Sequence, residues 1–466
     1  MQKELPIGWT KTKLGDICTK PQYGWTTQSD ISGDFKYLRT TDISKGKIDW
    51  DRMPYCIDVP EDKEKYLLGK DDIVVSRAGS VGLSYRITDT PQPTLFASYL
   101  IRFKPIKVFP KIVEYYLKSD MYWKAISEMS AGIAVQNVNA VKLSDLDFPL
   151  PPLSTQQRMV AKLDTLFEHL DALKNRFDRI PQLLKDFRQK VLTQAVTGKL
   201  TEGWREKREL EEWKIEIASV CCIKVQSGGT PKGGGFSDEG IPFLKVYNIV
   251  NNQIDFEYRP QFVTTEVQNK ALSKSIAYPG DVLMNIVGPP LNKIAILPAD
   301  YPEWNLNQAI TLFRTKKYLL NTFLYYFFCE GKSVREIMGE TKGVVGQVNI
   351  SLSQCRDFEI PIPTIVEQQE IVRRVESLFA KADQIEASYQ KLTAKIEQLP
   401  QALLAKAFRG ELVEQLPTDG DARQLLEEIR KAKTGLEKGG KIKKMKGDEE
   451  TRMVAEGGSR YGLRRI

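Results

Sequence analysis

The sequence predicts an α+β protein in which two globular domains alternate with two long helices, as an internal pseudo-two-fold repeat. The first observation is the repeat itself. A shift of 212 positions places Gln156-Gln157 on Gln368-Gln369 and Leu166-Phe167 on Leu378-Phe379, and the match runs without a gap from Pro149 to Leu200. A solenoid unit has only ~20–50 residues. The chain therefore contains two copies of a domain-sized module.

The second observation is a helical stripe in each copy. Apolar residues recur every three or four positions from Val160 to Val191 and again from Val372 to Leu403, which is typical of a helix. A helix of ~40 residues is ~60 Å long and cannot bury such a stripe alone. We expect the two helices to pack on each other as a coiled coil, with pairing between subunits as the alternative. Pro181 and Pro400 predict a kink or a restart in each helix.

The third observation concerns the segments before the helices, residues 1–150 and roughly 205–360. They contain short β-rich runs with many Gly, Asn and Thr residues, which indicate α+β domains. They match each other loosely and with gaps: Phe35–Arg39 resembles Ile241–Lys245, and Gln136–Asn139 resembles Gln347–Asn349. The helices kept their register while these segments diverged. This contrast favours a rigid spacer that carries two heads with different targets.

Composition indicates a soluble globular protein with 41% hydrophobic and 27% charged residues. The longest apolar run, Phe323 to Cys329, is far shorter than the ~20 residues that span a bilayer, and the N-terminus lacks the apolar core of a signal peptide. The six cysteines form no CxxC pair, which is typical of reduced thiols. We therefore expect a cytoplasmic protein without a membrane segment.

The net charge of +8 is concentrated at the C-terminus. Residues 430–466 contain 12 Lys/Arg and 5 Asp/Glu, a net +7, which leaves a net +1 for residues 1–429. This Gly- and Lys-rich tail is expected to be disordered. A solvated terminus is the favoured interpretation, and nonspecific attraction to DNA is the alternative.

Catalytic motifs are missing from the sequence. His169 is the only histidine and lies beside the apolar stripe, so we assign it an exposed structural role; histidine acid–base chemistry and His/Cys zinc sites are nearly excluded. The glycine run 228–235 lacks P-loop spacing, and no glycine fingerprint opens a βαβ unit. We predict no catalytic residue, no metal site and no cofactor site in this chain.

Polar loops in both heads are candidates for DNA contacts. Arg can fork onto guanine, Asn or Gln onto adenine, and Ser, Thr and Lys reach phosphates, although any one of these residues could equally serve ordinary turn chemistry. The predicted DNA-binding residues are Tyr23, Trp25, Thr26, Thr27, Arg39, Thr40, Thr41, Ser76, Arg77, Ser80, Gln136, Asn137 and Asn139 in the first head, and Ser227, Thr230, Lys232, Lys245, Tyr247, Asn248, Lys342, Gln347 and Asn349 in the second.

The whole arrangement resembles the specificity subunits of Type I restriction–modification enzymes. The resemblance rests on the helix starts PLPPLSTQQRMVAKLDTLF and PIPTIVEQQEIVRRVESLF and on the helix ends VLTQAVTGKLTEGWRE and LLAKAFRGELVEQLP. It covers nearly the whole chain to about residue 433. The helix motifs are specific to this family, whereas the heads match it only weakly.

This resemblance implies two target-recognition domains separated by an antiparallel coiled coil. Each domain would read one half of an asymmetric, bipartite site in double-stranded DNA. Two modification subunits that bind S-adenosylmethionine would methylate adenine N6, and restriction subunits that use ATP and Mg would translocate and cleave DNA. The chain itself would be a non-catalytic subunit.

The predicted division of the chain has six parts. They are target-recognition domain 1 (1–150), spacer helix 1 (151–204), target-recognition domain 2 (205–362), spacer helix 2 (363–415), a short helix (416–433) and a basic disordered tail (434–466). The main alternative is a non-catalytic coiled-coil scaffold whose heads bind protein or another ligand, with no sequence-specific role on DNA.

Overall fold

The structure is a computed structural model that describes residues 4–130, 137–231, 235–288, 290–340 and 349–438. The chain divides into two compact units. The first contains Met1–Asn175 and Thr393–Ile466, and the second contains Arg176–Leu392. Residues 1–150 are called head 1 and residues 205–362 head 2. Each unit combines one head with segments of the long helices.

Strands make up most of each head. Those of head 1 are β1 Thr10–Lys13, β2 Gln22–Tyr23, β3 Ser29–Asp30, β4 Lys36–Leu38, β5 Tyr55–Cys56, β6 Ile73–Ser76, β7 Ser84–Arg86, β8 Thr94–Phe96, β9 Leu100–Phe103 and β10 Asp147–Leu150. Those of head 2 are β11 Lys214–Ile217, β12 Cys222–Ser227, β13 Phe236–Ser237, β14 Ile241–Leu244, β15 Ile249–Val250, β16 Gln253–Ile254, β17 Phe262–Val263, β18 Val282–Asn285, β19 Ile294–Ile296, β20 Asn305–Leu306, β21 Ile310–Thr315 and β22 Glu359–Ile362.

Helices follow the same alternation along the chain. They are α1 Thr40–Ile43, α2 Pro110–Leu117, α3 Asp120–Ser130, α4 Ala140–Ser144, α5 Leu153–Phe177, α6 Ile180–Val196, α7 Glu202–Arg205, α8 Ala218–Cys221, α9 Thr265–Lys270, α10 Asn321–Glu330, α11 Lys332–Glu340, α12 Leu352–Arg356, α13 Ile365–Phe408 and α14, residues 422–438. Short 3-10 turns occupy Leu14–Ile17, Lys63–Lys65, Lys199–Thr201, Val246–Asn248, Ser273–Ser275 and Pro417–Asp419.

The two heads have the same sheet topology. Head 1 contains a four-stranded sheet of order β2-β9-β6-β7 and a second of order β3-β5-β4-β8, in which β4 and β8 are parallel. Head 2 repeats both sheets as β12-β21-β18-β19 and β13-β17-β14-β20, with β14 and β20 parallel. Each head is closed by a two-stranded ladder, β1-β10 or β11-β22. The internal repeat therefore includes the heads, whose sequences match only with gaps. This confirms the predicted α+β class.

The two prolines of the long helices differ in whether they interrupt the helix. α5 ends at Phe177 and α6 begins at Ile180, with Pro181 in its first turn, where proline is tolerated because the amide there has no helical partner. The predicted restart is confirmed here. α13, in contrast, continues through Pro400, so a restart at Pro400 is wrong. Leu404 and Phe408, buried in the first unit's core, stabilise the turns that follow it.

In the second unit, α6 runs antiparallel to the first part of α13. Arg188 pairs with Asp383 and Glu386 at 2.7 Å each, and Phe177 stacks on Tyr389 with ring centroids 6.1 Å apart. The predicted stripe is only partly covered. Leu184 and Val191 are buried, whereas the stripe residue Ile385 is 52% exposed. Two paired helices therefore cover only part of so wide a stripe.

A buried glutamine near the start of each long helix explains part of the repeated motif. Oε1 of Gln156 accepts a hydrogen bond from the Phe109 amide at 3.0 Å, and Nε2 donates to the Pro151 carbonyl. Gln368 makes the same two bonds with the Leu320 amide at 2.7 Å and with the Pro363 carbonyl. Since both side chains are fully buried, each ties a helix to its head through backbone groups that would otherwise lack partners.

The C-terminal helix α14 belongs to the first unit. Ala422 and Ile429 are completely buried in the core that also contains Leu14 and Phe148, and the Ala422 amide donates to the Gly8 carbonyl at 2.8 Å. The helix continues to residue 438. The boundary predicted at residue 434, where the disordered tail was to begin, is therefore wrong, because residues 434–438 extend a packed helix. Across the described ranges, no helix is long and apolar enough to cross a membrane.

Candidate nucleic-acid interface

Three polar loops of head 1 meet at residues 97–99, called here central loop 1. The Trp25 amide donates to the Phe96 carbonyl at 2.8 Å, and the Ser98 amide donates to the Trp25 carbonyl at 3.0 Å. The Arg77 amide donates to the Tyr99 carbonyl at 2.9 Å. Central loop 1 thus joins the predicted loop at residues 23–27 to the predicted loop at residues 76–80.

The third loop reaches the same place through Arg77. The Val138 amide donates to the Arg77 carbonyl at 3.0 Å, and Asn137 forms an isolated bridge with Ala78. The side chain of Asn139 caps α4 by accepting from the Lys142 amide at 2.9 Å. Asn137 is exposed and lies beside Arg77. The structure therefore brings together residues that are widely separated in the sequence.

Head 2 contains counterparts of three of these four backbone bonds around residues 307–309, called here central loop 2. The Gly229 amide donates to the Leu306 carbonyl at 3.0 Å, the Ile286 amide to the Ala309 carbonyl at 2.8 Å, and the Ile350 amide to the Ile286 carbonyl at 2.9 Å. By these bonds Ile286 is equivalent to Arg77 and Ala309 to Tyr99.

The shared bonds also correct one alignment between the heads. Asn349 pairs with Val287 as Asn137 pairs with Ala78, and Ser351 caps α12 as Asn139 caps α4. Asn349 therefore corresponds to Asn137. The sequence match that placed Asn349 opposite Asn139 is wrong, because the ungapped register of the helices extends further upstream than that match allowed.

A glycine next to each central loop permits the close approach of two backbone segments. A Cβ atom on Gly24 would lie 2.1 Å from the Phe96 carbonyl oxygen, and one on Gly228 would lie 2.0 Å from the Leu306 carbonyl oxygen. Neighbouring backbone cannot yield to such contacts, so only glycine fits at these two positions. Each central loop is therefore held by backbone atoms, independently of the side chains it presents.

The side chains around central loop 1 are aromatic and cationic. The Arg77 guanidinium lies over the Tyr23 ring, 4.9 Å from its centroid, and its Nε donates to Asn137 Oδ1 at 3.4 Å. Tyr99 is 62% exposed. Among the other predicted residues of head 1, Thr26, Thr41 and Ser80 are also exposed.

The corresponding surface of head 2 is polar and amide-rich. Thr230 Oγ1 donates to Gln308 Oε1, and both residues are exposed. The Asn307 Oδ1 atom is buried and has no hydrogen-bond partner among the described residues. The Ser227 hydroxyl pairs with the Thr311 hydroxyl at 3.0 Å. The two heads thus present different chemistry on the same backbone frame.

Two of the predicted DNA-binding residues are buried and make hydrogen bonds within head 1 or head 2. Ser76 and Asn248 are completely buried. Ser76 Oγ donates to the Ala78 carbonyl, and Asn248 accepts from the Lys245 amide and donates to the Asp255 and Tyr258 carbonyls. The prediction that these two side chains contact DNA directly is therefore wrong. The sequence could not distinguish a polar residue that holds a turn from one that faces solvent.

Other predicted DNA-binding residues make hydrogen bonds within their own head. Trp25 Nε1 donates to the Asp58 carbonyl, and Thr27 Oγ1 accepts from the Asp58 amide. Thr40 Oγ1 lies 3.5 Å from Ser76 Oγ. Tyr247 OH donates to the Arg259 carbonyl at 3.2 Å.

Two cations at the start of equivalent helical turns also have partners. Arg39 is paired bidentately with Asp42, whose hydrogen bonds raise the pKa of the Arg39 guanidinium. Lys245 lies over the Phe236 ring, 4.9 Å from its centroid. Gln136, Lys232, Lys342 and Gln347 lie outside the described residues.

Three residues of the central loops, Tyr99, Asn307 and Gln308, are absent from the DNA-binding residues predicted from the sequence. They follow buried parallel strands and lack the glycine or proline that marks a turn, so nothing local distinguishes them from strand residues. Their common feature is the tertiary bonding of the central loops. No group of three or more His, Cys, Asp or Glu residues in the described ranges could hold a metal ion, and His169 is exposed.

Known proteins resemble this chain along most of its length. The family model of the Type I restriction modification DNA specificity domain matches residues 6–182 and 210–398. The EcoKI specificity subunit of Escherichia coli (strain K12) is 30% identical over 454 residues, which cover 92% of this chain and 96% of that protein. The StySPI specificity subunit of Salmonella potsdam is 28% identical over 437 residues, covering 88% and 91% respectively.

A solved structure shows the same fold. The HsdS subunit from Thermoanaerobacter tengcongensis matches with a TM-score of 0.61 at 18% identity, over 88% of this chain and 99% of that one. The twofold family match coincides with the two copies of the head and long helix. The chain therefore belongs to the family of Type I restriction modification DNA specificity proteins.

Proposed function

We propose that this chain is the non-catalytic DNA-specificity subunit of a Type I restriction–modification enzyme. Each head reads one half of an asymmetric, bipartite DNA site through its central loop and the loops bonded to it. Adenine-N6 methylation and restriction are carried out by partner subunits. The observation that supports this function most directly is one backbone frame, present twice, that displays different side chains in the two heads.

The differences lie where sequence readout needs them. Position by position, central loop 1 presents Ser98 and Tyr99, whereas central loop 2 presents Gln308 and has the buried Ala309 in the place of Tyr99. Hydrogen-bonding and apolar side chains at base edges carry sequence information, while contacts to phosphates only position a protein on DNA. Two heads that differ at such positions are suited to two different half-sites.

Family membership supports a division of labour between this chain and partner subunits. We assign residues 1–150 and 205–362 to the two target-recognition domains, 151–204 and 363–415 to the spacer helices, and 416–438 to the C-terminal packing segment. Two modification subunits would bind S-adenosylmethionine, and restriction subunits would use ATP and Mg. The protein would act in the cytoplasm, where its DNA substrate and these subunits are found.

Genome-wide mapping of methyladenine tests this function. The chain is expressed with its native modification subunits in a host that lacks other adenine methylation. We expect methyladenine confined to one bipartite motif, and an exchange of residues 1–150 should change one half of that motif and leave the other intact. Methylation without a bipartite motif, or a change in both halves, would contradict the proposal.

A binding measurement separates this function from a scaffold role. Fluorescence anisotropy of the assembled complex compares the duplex that carries the mapped motif with a scrambled duplex at moderate salt. A specificity subunit should prefer the mapped motif by ~10³-fold or more. Equal affinity for the two duplexes would favour a scaffold whose heads bind another ligand.

A further inference from the structure

Arg77 differs from the other arginines of head 1 in its surroundings. Among the described residues, Arg39 pairs with Asp42, Arg52 with Asp49, Arg86 with Asp71 and Glu114, and Arg102 with Asp72, all within 4.0 Å. No carboxylate of the described residues pairs with Arg77. Its positive charge is therefore available to a ligand, whereas those of the other four are balanced within the head.

The Arg77 side chain is also held in one orientation. Its guanidinium is stacked over Tyr23, and the hydroxyl of Tyr23 in turn accepts a hydrogen bond from the Ala140 amide at 3.0 Å. Nε donates to Asn137 Oδ1. Stacking on an aromatic face is a favourable arrangement for arginine. The side chain thus loses less conformational entropy on binding than a free arginine would.

The backbone beneath Arg77 is fixed on both sides. Its amide donates to Tyr99 and its carbonyl accepts from Val138. Both bonds have counterparts at Ile286 in head 2, where the side chain carries no charge. Head 1 therefore displays, at a rigid position of the shared frame, a cation that head 2 lacks.

Nε is directed to Asn137, and no described residue accepts a hydrogen bond from the two terminal nitrogens of Arg77, so these two nitrogens can form a fork. In the major groove, an arginine fork matches N7 and O6 of guanine, whereas adenine presents a donor beside N7 and rejects it. Lysine has the same charge but lacks the rigid fork. We propose that Arg77 determines specificity by reading the guanine of one G·C pair in the half-site of head 1, an inference that rests on the function proposed above.

Methylation by the assembled enzyme tests this assignment. The complex of the full chain with its modification subunits methylates two duplexes, one with the mapped motif and one in which the candidate G·C pair is replaced by A·T. The ratio of the two rates gives the discrimination at that pair independently of overall activity. Wild type is compared with Arg77→Lys and Arg77→Ala. Arg52→Lys, an exposed arginine of the same head, is the control.

We expect the wild-type motif to contain an invariant G·C pair in the half-site of head 1. Arg77→Lys should lower the discrimination at this one pair by about tenfold or more, with the other half-site unchanged, and Arg52→Lys should leave every position unchanged. Two results would overturn the assignment of Arg77 and leave the proposed function standing. One is a bipartite wild-type motif without a G·C pair in that half, and the other is an unaltered base preference of Arg77→Lys at every position. A wild type without a bipartite motif overturns the proposed function as well.

Discussion

Gln156 and Gln368, the same residue of the repeated motif, make equivalent buried hydrogen bonds in the two units. Each accepts from the amide that precedes a head helix and donates to a proline carbonyl before its own long helix. A conserved register in a repeat thus has a specific physical basis. A shift of the helix relative to its head would leave the head amide, of Phe109 or Leu320, without its acceptor.

Replacing these glutamines should destabilise the protein. Gln156→Leu and Gln368→Leu retain bulk but leave a buried amide without an acceptor, at a cost of about 1–3 kcal/mol each. We expect the unfolding temperature to fall by several degrees in differential scanning fluorimetry. Gln157→Leu and Gln369→Leu, the exposed neighbours, are matched controls with little expected effect. Equal stability of buried and exposed variants would show that these bonds do not hold the helix.

The glycines beneath the central loops should be intolerant of any side chain. Gly24→Ala and Gly228→Ala would each force a methyl group to about 2 Å from a carbonyl oxygen, and overpacking of this kind typically costs ~1–3 kcal/mol or more. We expect lower unfolding temperatures and loss of methylation at the mapped motif. Gly69→Ala and Gly203→Ala, where nothing lies within 4 Å of the added atom, should behave like wild type.

The central-loop side chains should control the two half-sites separately. We expect Tyr99→Ala to relax base preference only in the half-site of head 1, and Gln308→Ala only in the half-site of head 2, by about fivefold to 100-fold at the contacted pair. Methyladenine mapping measures both effects. Gln253→Ala and Tyr258→Ala, exposed elsewhere on head 2, should leave the motif unchanged. A change in both halves from either loop variant would contradict independent readout.

Asp419 should give the first unit an acid-dependent stability. Its carboxylate accepts from both terminal nitrogens of Arg158, and from Ser154 and Thr155 at the start of α5. The hydrogen bonds from Arg158 in particular hold the pKa of Asp419 below its usual range. A depressed pKa in the folded state adds stability above the unfolded-state pKa of about 3.9, and this stability is lost as the pH falls through the folded-state pKa.

The comparison of wild type with Asp419→Asn measures this contribution. The difference in unfolding temperature should be constant between pH 7 and about pH 5 and should shrink below about pH 4. Asp171→Asn, at an exposed position of α5, is the control and should differ little from wild type at any of these pH values. If the difference in unfolding temperature between wild type and Asp419→Asn were the same at pH 3 as at pH 7, the effect would come from the altered side-chain packing and not from the lost negative charge.

The sequence predicted the fold better than the individual contacts. The three-to-four spacing and the ungapped 212 shift predicted the helices and the repeat, because both depend on local periodicity. Pro181 and Pro400 both lie within a helical pattern in the sequence, yet only Pro181 lies at a break between two helices. The helix continues through Pro400 because the residues that follow it are packed in the core. Ser76 and Asn248 resembled DNA-contact residues because buried turn chemistry uses the same polar side chains. Tyr99 and Gln308 could not be proposed from the sequence, because their position beside the predicted loops arises from tertiary backbone bonds.

The backbone-only construction of the central loops has an evolutionary consequence. Since Gly24, Gly228 and main-chain amides hold the frame, substitutions at Tyr99 or Gln308 place little demand on foldability. A lineage of such chains can therefore acquire new recognised sequences by single substitutions while every intermediate remains a folded, assembly-competent protein. Diversity of targets is then limited by the needs of the genome that must be protected and not by the stability of the protein.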